Sequence, residues 1–205
     1  MPSQLLGFTY RMTWNDFPHP MPPLRPNELA KDAEFAPRIA FTPWLPQLVR
    51  GSNPGLFLFP DNLTVRVFAD RSTGRVSARL KTMPQAQKDK LLQHEQGHYN
   101  IAALIGRDFF LEALQLREVE YDRPEDAEGD FKALQTDILD QLTVVQEIYD
   151  FEVSNGGNPV GQNRWNTMIN TAFTMPRSPT ATAANGMPLK VRLLDVLRGQ
   201  GVMLP

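Results

Sequence analysis

The chain has 205 residues, of which 41% are hydrophobic, and this is enough to enclose one substantial core. The formal net charge of −2 and the lack of lysine/arginine runs argue against nucleic acid as a partner, and the absence of cysteine excludes disulfide bonds and thiolate metal ligands. The N-terminal residues lack the charged and apolar regions of a signal peptide, and no stretch approaches the roughly 18 apolar residues of a transmembrane helix.

Residues 1–81 are predicted to form a β-rich part. Three short strands are expected there from alternating apolar residues and flanking turns: residues 5–13, 38–42 and 55–59. The clearest β signal is a hairpin of residues 63–69 and 75–80, with a turn at 70–74. An edge of this hairpin could pair with an extended substrate if it lay beside the catalytic residues, although it could equally serve only to support the core.

Residues 82–153 are predicted to form an antiparallel pair of helices. A Thr-x-x-Gln capping box at 82–85 indicates the start of the first helix. A second capping box at 122–125 indicates the turn into the second helix, whose apolar periodicity continues to about residue 152.

The first of these helices carries a His-Glu-x-x-His motif at His94, Glu95 and His98. Residues four apart lie on one face of a helix, so both imidazoles can bind a single metal ion. Zinc takes imidazole nitrogens as ligands, and a catalytic zinc site keeps one position open for water. Glu95 is in place to act as the general base for a metal-activated water. The alternative is an amphipathic helix whose histidines only cap it or line the core.

A third zinc ligand is expected from the second helix. No histidine follows His98, so the ligand must be a carboxylate unless the chain reaches back to His19, which lies in a proline-rich loop. The helical phase places Glu152 on the inner face and rotates Asp150 off it. The sequence therefore predicts Glu152 as the third ligand, and Asp150 as the residue that holds a ligand histidine through its other ring nitrogen.

Residues 154–205 are predicted to form a loose C-terminal extension. A short helix is expected near residues 165–169, followed by a proline- and alanine-rich linker at 174–188. Residues 189–197 regain an apolar pattern, and Gly199 can end a short helix. This tail can dock either on the chain's own core or on a partner.

The motif and its surroundings resemble a bacterial family of predicted zinc-dependent peptidases, which is catalogued as a domain of unknown function and placed among the zincins. The resemblance begins with residues 94–101, HEQGHYNI. It extends to a Thr-Trp-x-Asp-Phe block, a Tyr-Asp-x-Glu block and a Gln-x-x-Trp pair: Thr13, Trp14, Asp16 and Phe17; Tyr149, Asp150 and Glu152; Gln162 and Trp165. It covers about residues 13–169. The family has His-Gly after the Tyr-Asp block, whereas this chain has Asn155 and Gly156.

Together these observations predict a single α+β, zincin-like domain over residues 1–205, with Zn²⁺ as cofactor and a peptide or protein as substrate. The expected activity is that of a zinc metallopeptidase, with Tyr149 or Asn155 as candidate donors to the oxyanion. One alternative is a structural or interaction protein that keeps the scaffold without turnover. Another is hydrolysis of a non-peptide amide such as a cell-wall linkage. The resemblance implies export, whereas the chain shows no leader, so the expected location is either the cytoplasm or outside the cell by another route.

Overall fold

The computed structural model describes residues 2–22, 31–43, 48–51, 55–154, 156–177 and 189–204. These residues form a mixed α/β structure with small sheets and four α-helices. The helices are α1 Gln85–Leu116, α2 Pro124–Val153, α3 Pro159–Thr174 and α4 Leu193–Gly199. The strands are β1 Gln4–Leu6, β2 His19–Pro20, β3 Ala33–Glu34, β4 Pro37–Thr42, β5 Val49–Arg50, β6 Phe57–Leu58, β7 Thr64–Ala69 and β8 Arg75–Val76. Among the described residues, no helix is both long enough and apolar enough to cross a membrane.

The strands form three small sheets, in the orders β1-β7-β4, β2-β8-β3 and β5-β6. The strand predicted at 63–69 is confirmed as β7, which is parallel to β1 and antiparallel to β4. The predicted hairpin is wrong, because β8 belongs to a different sheet and ends at Val76, ahead of a 3-10 helix at Ala78–Thr82. Both edges of β7 are occupied, so that strand has no edge to offer a substrate.

The other strands differ from the predictions mainly in length. The strand expected at 38–42 is confirmed as β4, whereas the one expected at 55–59 contains only two paired residues. The strand expected at 5–13 ends at Leu6, because Gly7 has a φ of +79° and passes so close to Val67 that a Cβ would lie 1.8 Å from the Val67 carbonyl oxygen. The chain therefore turns away from the sheet at Gly7.

Neither predicted capping box is formed. Thr82 belongs to the preceding 3-10 helix, where its hydroxyl donates to the Arg79 carbonyl, and α1 begins three residues later behind Pro84. In α2 the N-cap is Arg123, without a side-chain cap, and the helix begins at Pro124. The first helical position tolerates proline because an N–H there has no partner within the helix, so α2 begins with a proline, and α1 begins directly after one.

Helices α1 and α2 lie antiparallel, with His98 facing Gln146 and His94 facing Tyr149. At the point of closest approach, a Cβ on Gly97 would lie 2.1 Å from the Tyr149 hydroxyl oxygen. The other side of α1 packs on the sheet, where Gly106 lies against Val67. The core is thus built around α1, which is buried along most of its length between α2, α3 and β7.

The C-terminal tail docks on the chain's own core. The short helix predicted near 165–169 extends over Pro159–Thr174 as α3, and it is capped by Asn158, whose side chain accepts from the Gly161 N–H. The side chains of Leu193 and Leu197 in α4 are fully buried in the main core. Most of the predicted linker, residues 178–188, lies outside the described residues.

A buried ion pair of Arg107 and Asp108 joins the tail to α1. The Arg107 guanidinium donates to the carbonyl oxygens of Ala172 at 2.7 Å and Val191 at 2.9 Å, as well as to Asp108 Oδ1. Asp108 Oδ2 accepts from the Leu193 N–H at 3.0 Å. The guanidinium and the carboxylate thus both make hydrogen bonds to the main chain. These bonds attach the end of α3 and the residues around the start of α4 to α1.

We expect Arg107→Ala to lower the free energy of unfolding by about 3–5 kcal/mol, because it leaves a buried carboxylate without its cation and two carbonyls without donors. Arg123→Ala removes an exposed ion pair with Asp126 and is the matched control, with an expected cost below about 1 kcal/mol. Urea denaturation of both variants measures the difference. A loss no larger than that of the control would show that the ion pair does not hold the tail.

Candidate metal centre

Three potential metal ligands converge where α1 meets α2. His94 and His98 project from α1, and Asp150 projects from α2. His98 Nε2 lies 2.9 Å from Asp150 Oδ1, His94 Nε2 lies 3.2 Å from the same oxygen, and the two imidazole Nε2 atoms are 3.2 Å apart. Both histidines are buried and Asp150 is partly exposed. This group could hold a metal ion.

The spacing of the three donor atoms matches the face of a tetrahedral site. For ligand bonds of about 2.0–2.1 Å, neighbouring donors around a tetrahedral zinc ion lie about 3.3 Å apart. The observed separations of 2.9–3.2 Å are close to that value. Two imidazole nitrogens and a carboxylate oxygen are also a donor set that zinc accepts, with one position left for water.

The orientation of His98 is fixed by Gln146, a residue that the sequence reasoning missed. Gln146 Nε2 donates to the His98 carbonyl at 2.9 Å, which turns the side-chain oxygen of Gln146 towards His98 Nδ1. Because that oxygen can only accept, Nδ1 must carry a proton, and Nε2 is the nitrogen left to bind a metal. Gln146 lies four residues before Asp150, so their shared stripe on α2 was the signal available in the sequence.

Tyr149 packs against His94 and holds it in place. The two rings stack at 5.0 Å with an interplanar angle of 11°, and the Tyr149 hydroxyl donates to the His94 carbonyl at 3.0 Å. Gln162 Nε2 donates to the same hydroxyl at 2.9 Å. Tyr149 is fully buried, so the structure places it as a support of His94 and not as the predicted donor to an oxyanion. No described residue hydrogen-bonds to His94 Nδ1.

Glu95 is buried beside the two histidines. It lines the same pocket, of about 310 Å³, whose opposite wall consists of Lys31 and residues 33–37. Burial raises the pKa of Glu95 to about 7, partly opposed by the charge of His98. A carboxylate with such a pKa can both accept and release a proton near neutral pH.

The charges of the metal-free site compensate each other through Asp150. Burial opposes the charged form of His98, but the hydrogen bonds to Asp150 and Gln146 and the charges of Glu95 and Asp150 together outweigh it and raise the pKa of His98. Burial likewise works against the charged form of Asp150, but the bonds from His94 and His98 hold its pKa below the usual range. For His94, burial dominates and lowers the pKa.

Glu152, the predicted third ligand, lies on a different side of α2. Its carboxylate accepts from Trp165 Nε1 at 2.9 Å and from Arg164 Nη1 at 3.0 Å, both on α3. The helical-phase argument was wrong because α2 is buried by two neighbours, and apolar periodicity cannot tell the side facing α1 from the side facing α3. Asp150 is instead the carboxylate that joins the two histidines, and Gln146 makes the contact with the other ring nitrogen of His98 that was predicted for Asp150.

The two remaining candidates are His19 and Asn155. His19 is an exposed residue of β2, so it is not brought to the site. Asn155, the other predicted donor to an oxyanion, lies outside the described residues.

No family model, no curated protein and no solved structure matches the chain.

We expect Asp150→Ala to weaken the binding of a divalent ion such as Zn²⁺ or Co²⁺ by at least about 100-fold, because it removes one of three donors. Glu152→Ala is the matched control two residues away, and it should leave the affinity unchanged within about threefold. Competition with a chromogenic chelator measures both constants. Weaker binding in Glu152→Ala than in Asp150→Ala would restore the original assignment.

A second variant tests Gln146. Gln146→Leu keeps the approximate volume but removes the group that orients His98, and we expect it to weaken metal binding by about 10–100-fold while the protein stays folded. Gln141→Leu removes an amide on the same helix that donates to Asp137, away from the site; it is the control and should have no effect. Equal affinities in the two variants would show that Gln146 does not position the ligand.

Proposed function

We propose that the protein is a zinc-dependent hydrolase, most simply a metallopeptidase of the zincin type. The observation that carries the proposal is the convergence of His94, His98 and Asp150 at 2.9–3.2 Å beside the buried carboxylate of Glu95. A structural zinc site needs four protein ligands and no base, whereas this one offers three ligands and a carboxylate in an open pocket.

In this mechanism the metal and Glu95 have different tasks. His94, His98 and Asp150 would hold a zinc ion, which would supply a Lewis acid and lower the pKa of a bound water. Glu95, which lines the pocket beside both histidines, is placed to take the proton from the attacking water and pass it to the leaving amine. Gln146 and Tyr149 hold the two histidines in place, so that the ligands need not reorganise during the reaction.

The pocket has room for an extended substrate along β3. This strand is an edge strand that pairs only with β8 among the described residues, and both of its residues line the pocket. Because the Ser77 N–H donates to the Asp32 carbonyl, the hydrogen-bonding groups of Ala33 point away from β8. A peptide could pair with them, which takes the role first assigned to the 63–80 hairpin.

The rival hypothesis, a structural or interaction protein on the same scaffold, leaves Glu95 without a task. Among the described residues none donates a hydrogen bond to its carboxylate, and burial alone accounts for most of its raised pKa. Burying an unpaired carboxylate is costly, and costs of this kind are typical of functional sites.

We expect Glu95→Gln to retain the metal and the fold while hydrolysis of a peptide library falls by about 10²–10⁴-fold, because the amide cannot accept the proton. His94→Ala should lose metal and activity together. Glu128→Gln, at a partly exposed position of α2 where the side chain pairs with Lys132, is the control. Mass-spectrometric analysis of the digests and metal analysis give the two readouts. Undiminished cleavage by Glu95→Gln would exclude it as the base, and a complete lack of cleavage by the zinc-loaded wild type would favour the non-catalytic rival.

A further inference from the structure

A second cavity lies behind the metal helix. A groove of about 500 Å³ runs between α1, α3 and residues 8–11. It meets α1 on the face that carries Gln96 and Asn100, about 180° around the helix from His94 and His98. The groove is therefore separate from the metal centre, and its volume lies within the range of about 300–1,000 Å³ that is typical of small-molecule sites.

The lining of the groove is rich in carboxamides. Five of them contribute: Gln93, Gln96, Asn100, Asn166 and Asn170. Gln96 is fixed on both sides, since its oxygen accepts from the Met12 N–H at 2.8 Å and its nitrogen donates to Asn100 Oδ1 at 2.9 Å. With Oδ1 occupied, the group that Asn100 has left to offer is its NH₂, for which no described residue supplies an acceptor.

Asn166 is oriented in the same way from the opposite wall. Its Oδ1 accepts from Gln162 Nε2 at 3.0 Å, and Gln162 is itself held by the Tyr149 hydroxyl. The Asn166 NH₂ is thus also left for a ligand. Two pre-oriented pairs of N–H donors therefore line one groove from facing helices, and pre-orientation lowers the entropy cost of binding.

Aromatic rings provide the apolar part of the lining. Tyr10 is 41% exposed, and its hydroxyl is bound to Asp16 Oδ1 at 2.7 Å, so it offers a ring face and not a free hydroxyl. The rings of Phe8 and Phe173 pack together at 5.1 Å between centroids. Of the described residues that line the groove, Arg11 alone is ionised. The groove thus suits a largely neutral ligand that combines hydrogen-bond acceptors with apolar faces.

We propose that this groove binds carbohydrate. Sugar hydroxyls and acetamido carbonyls accept hydrogen bonds from carboxamide N–H groups, and the C–H faces of pyranose rings pack on aromatic rings such as Tyr10. A peptide is the less suitable ligand, because charged peptide side chains would find no carboxylate among the described lining residues. The proposal goes beyond the hydrolase and does not depend on turnover.

The test is a titration of the ¹⁵N-labelled full-length chain with tetra-N-acetylchitotetraose and with cellotetraose, followed through the side-chain amide signals. Asn100→Asp and Asn166→Asp keep the Oδ1 acceptor that Gln96 and Gln162 need, but they remove the NH₂ donors. Asn62→Asp introduces the same charge at an exposed site outside the groove and is the matched control. Tyr10→Ala removes the ring face independently of the amides.

We expect at least one oligosaccharide to bind with a dissociation constant of about 1 mM or lower. Each of the two aspartate variants should weaken it about tenfold, Tyr10→Ala should weaken it likewise, and Asn62→Asp should leave it unchanged. The proposal is overturned if no oligosaccharide gives saturable shifts up to about 10 mM. It is also overturned if the groove variants bind as the wild type does, or if pentaglycine shifts the same amides at lower concentration, which would make the groove a peptide site.

Discussion

The contact between Tyr149 and Gly97 sets the register on which the rest of the site depends. The tyrosine hydroxyl fills the space that a Cβ at residue 97 would need and donates to the main chain of His94 one turn earlier. An α-helix is a rigid element with a rise of about 1.5 Å per residue, so fixing one contact fixes its neighbours. Gln146 consequently meets His98, and Asp150 meets both ring nitrogens.

The two groups of buried ionisable residues on α1 are treated differently. Arg107 and Asp108 neutralise each other and satisfy three main-chain groups, so the cost of burying them is offset by the order that they impose on the tail. Glu95 has no comparable partner among the described residues; burial raises its pKa to about 7, and burial raises the pKa of Asp108 to about 6 although Arg107 opposes that rise. One helix thus contains both an ion pair that is hydrogen-bonded to the main chain and a carboxylate that lines a pocket, and the second is placed where it can meet a substrate.

The sequence predicted well where one local rule decided the outcome. The spacing of His94 and His98 follows from helix geometry alone, and the end of α2 follows from its apolar period. It failed where a residue had two possible partners. Glu152 was judged against a single inner face, although Trp165 and Arg164 bury the other side of α2. The prediction of a 63–80 hairpin failed for a similar reason. The alternation of apolar residues in β7 does not indicate which strands will pair with it.

The Tyr-Asp-x-Glu block and the Gln-x-x-Trp pair, which together span Tyr149 to Trp165, have one physical explanation in the structure. A metal site between α1 and α2 requires that α2 keep a fixed position relative to α1. Helix α1 contacts α2 on one side. Gln162 binds the Tyr149 hydroxyl and Trp165 binds Glu152, so α3 holds α2 from the other side at two points three residues apart. Glu152 thus belongs to the contact between α2 and α3 and does not touch the site. The same Gln162 orients Asn166 in the groove behind α1, so two hydrogen bonds separate that groove from the tyrosine that supports His94. A small molecule that displaced Asn166 would therefore act first on Tyr149, which supports His94. Only after that would it affect the side-chain atoms that could bind a metal.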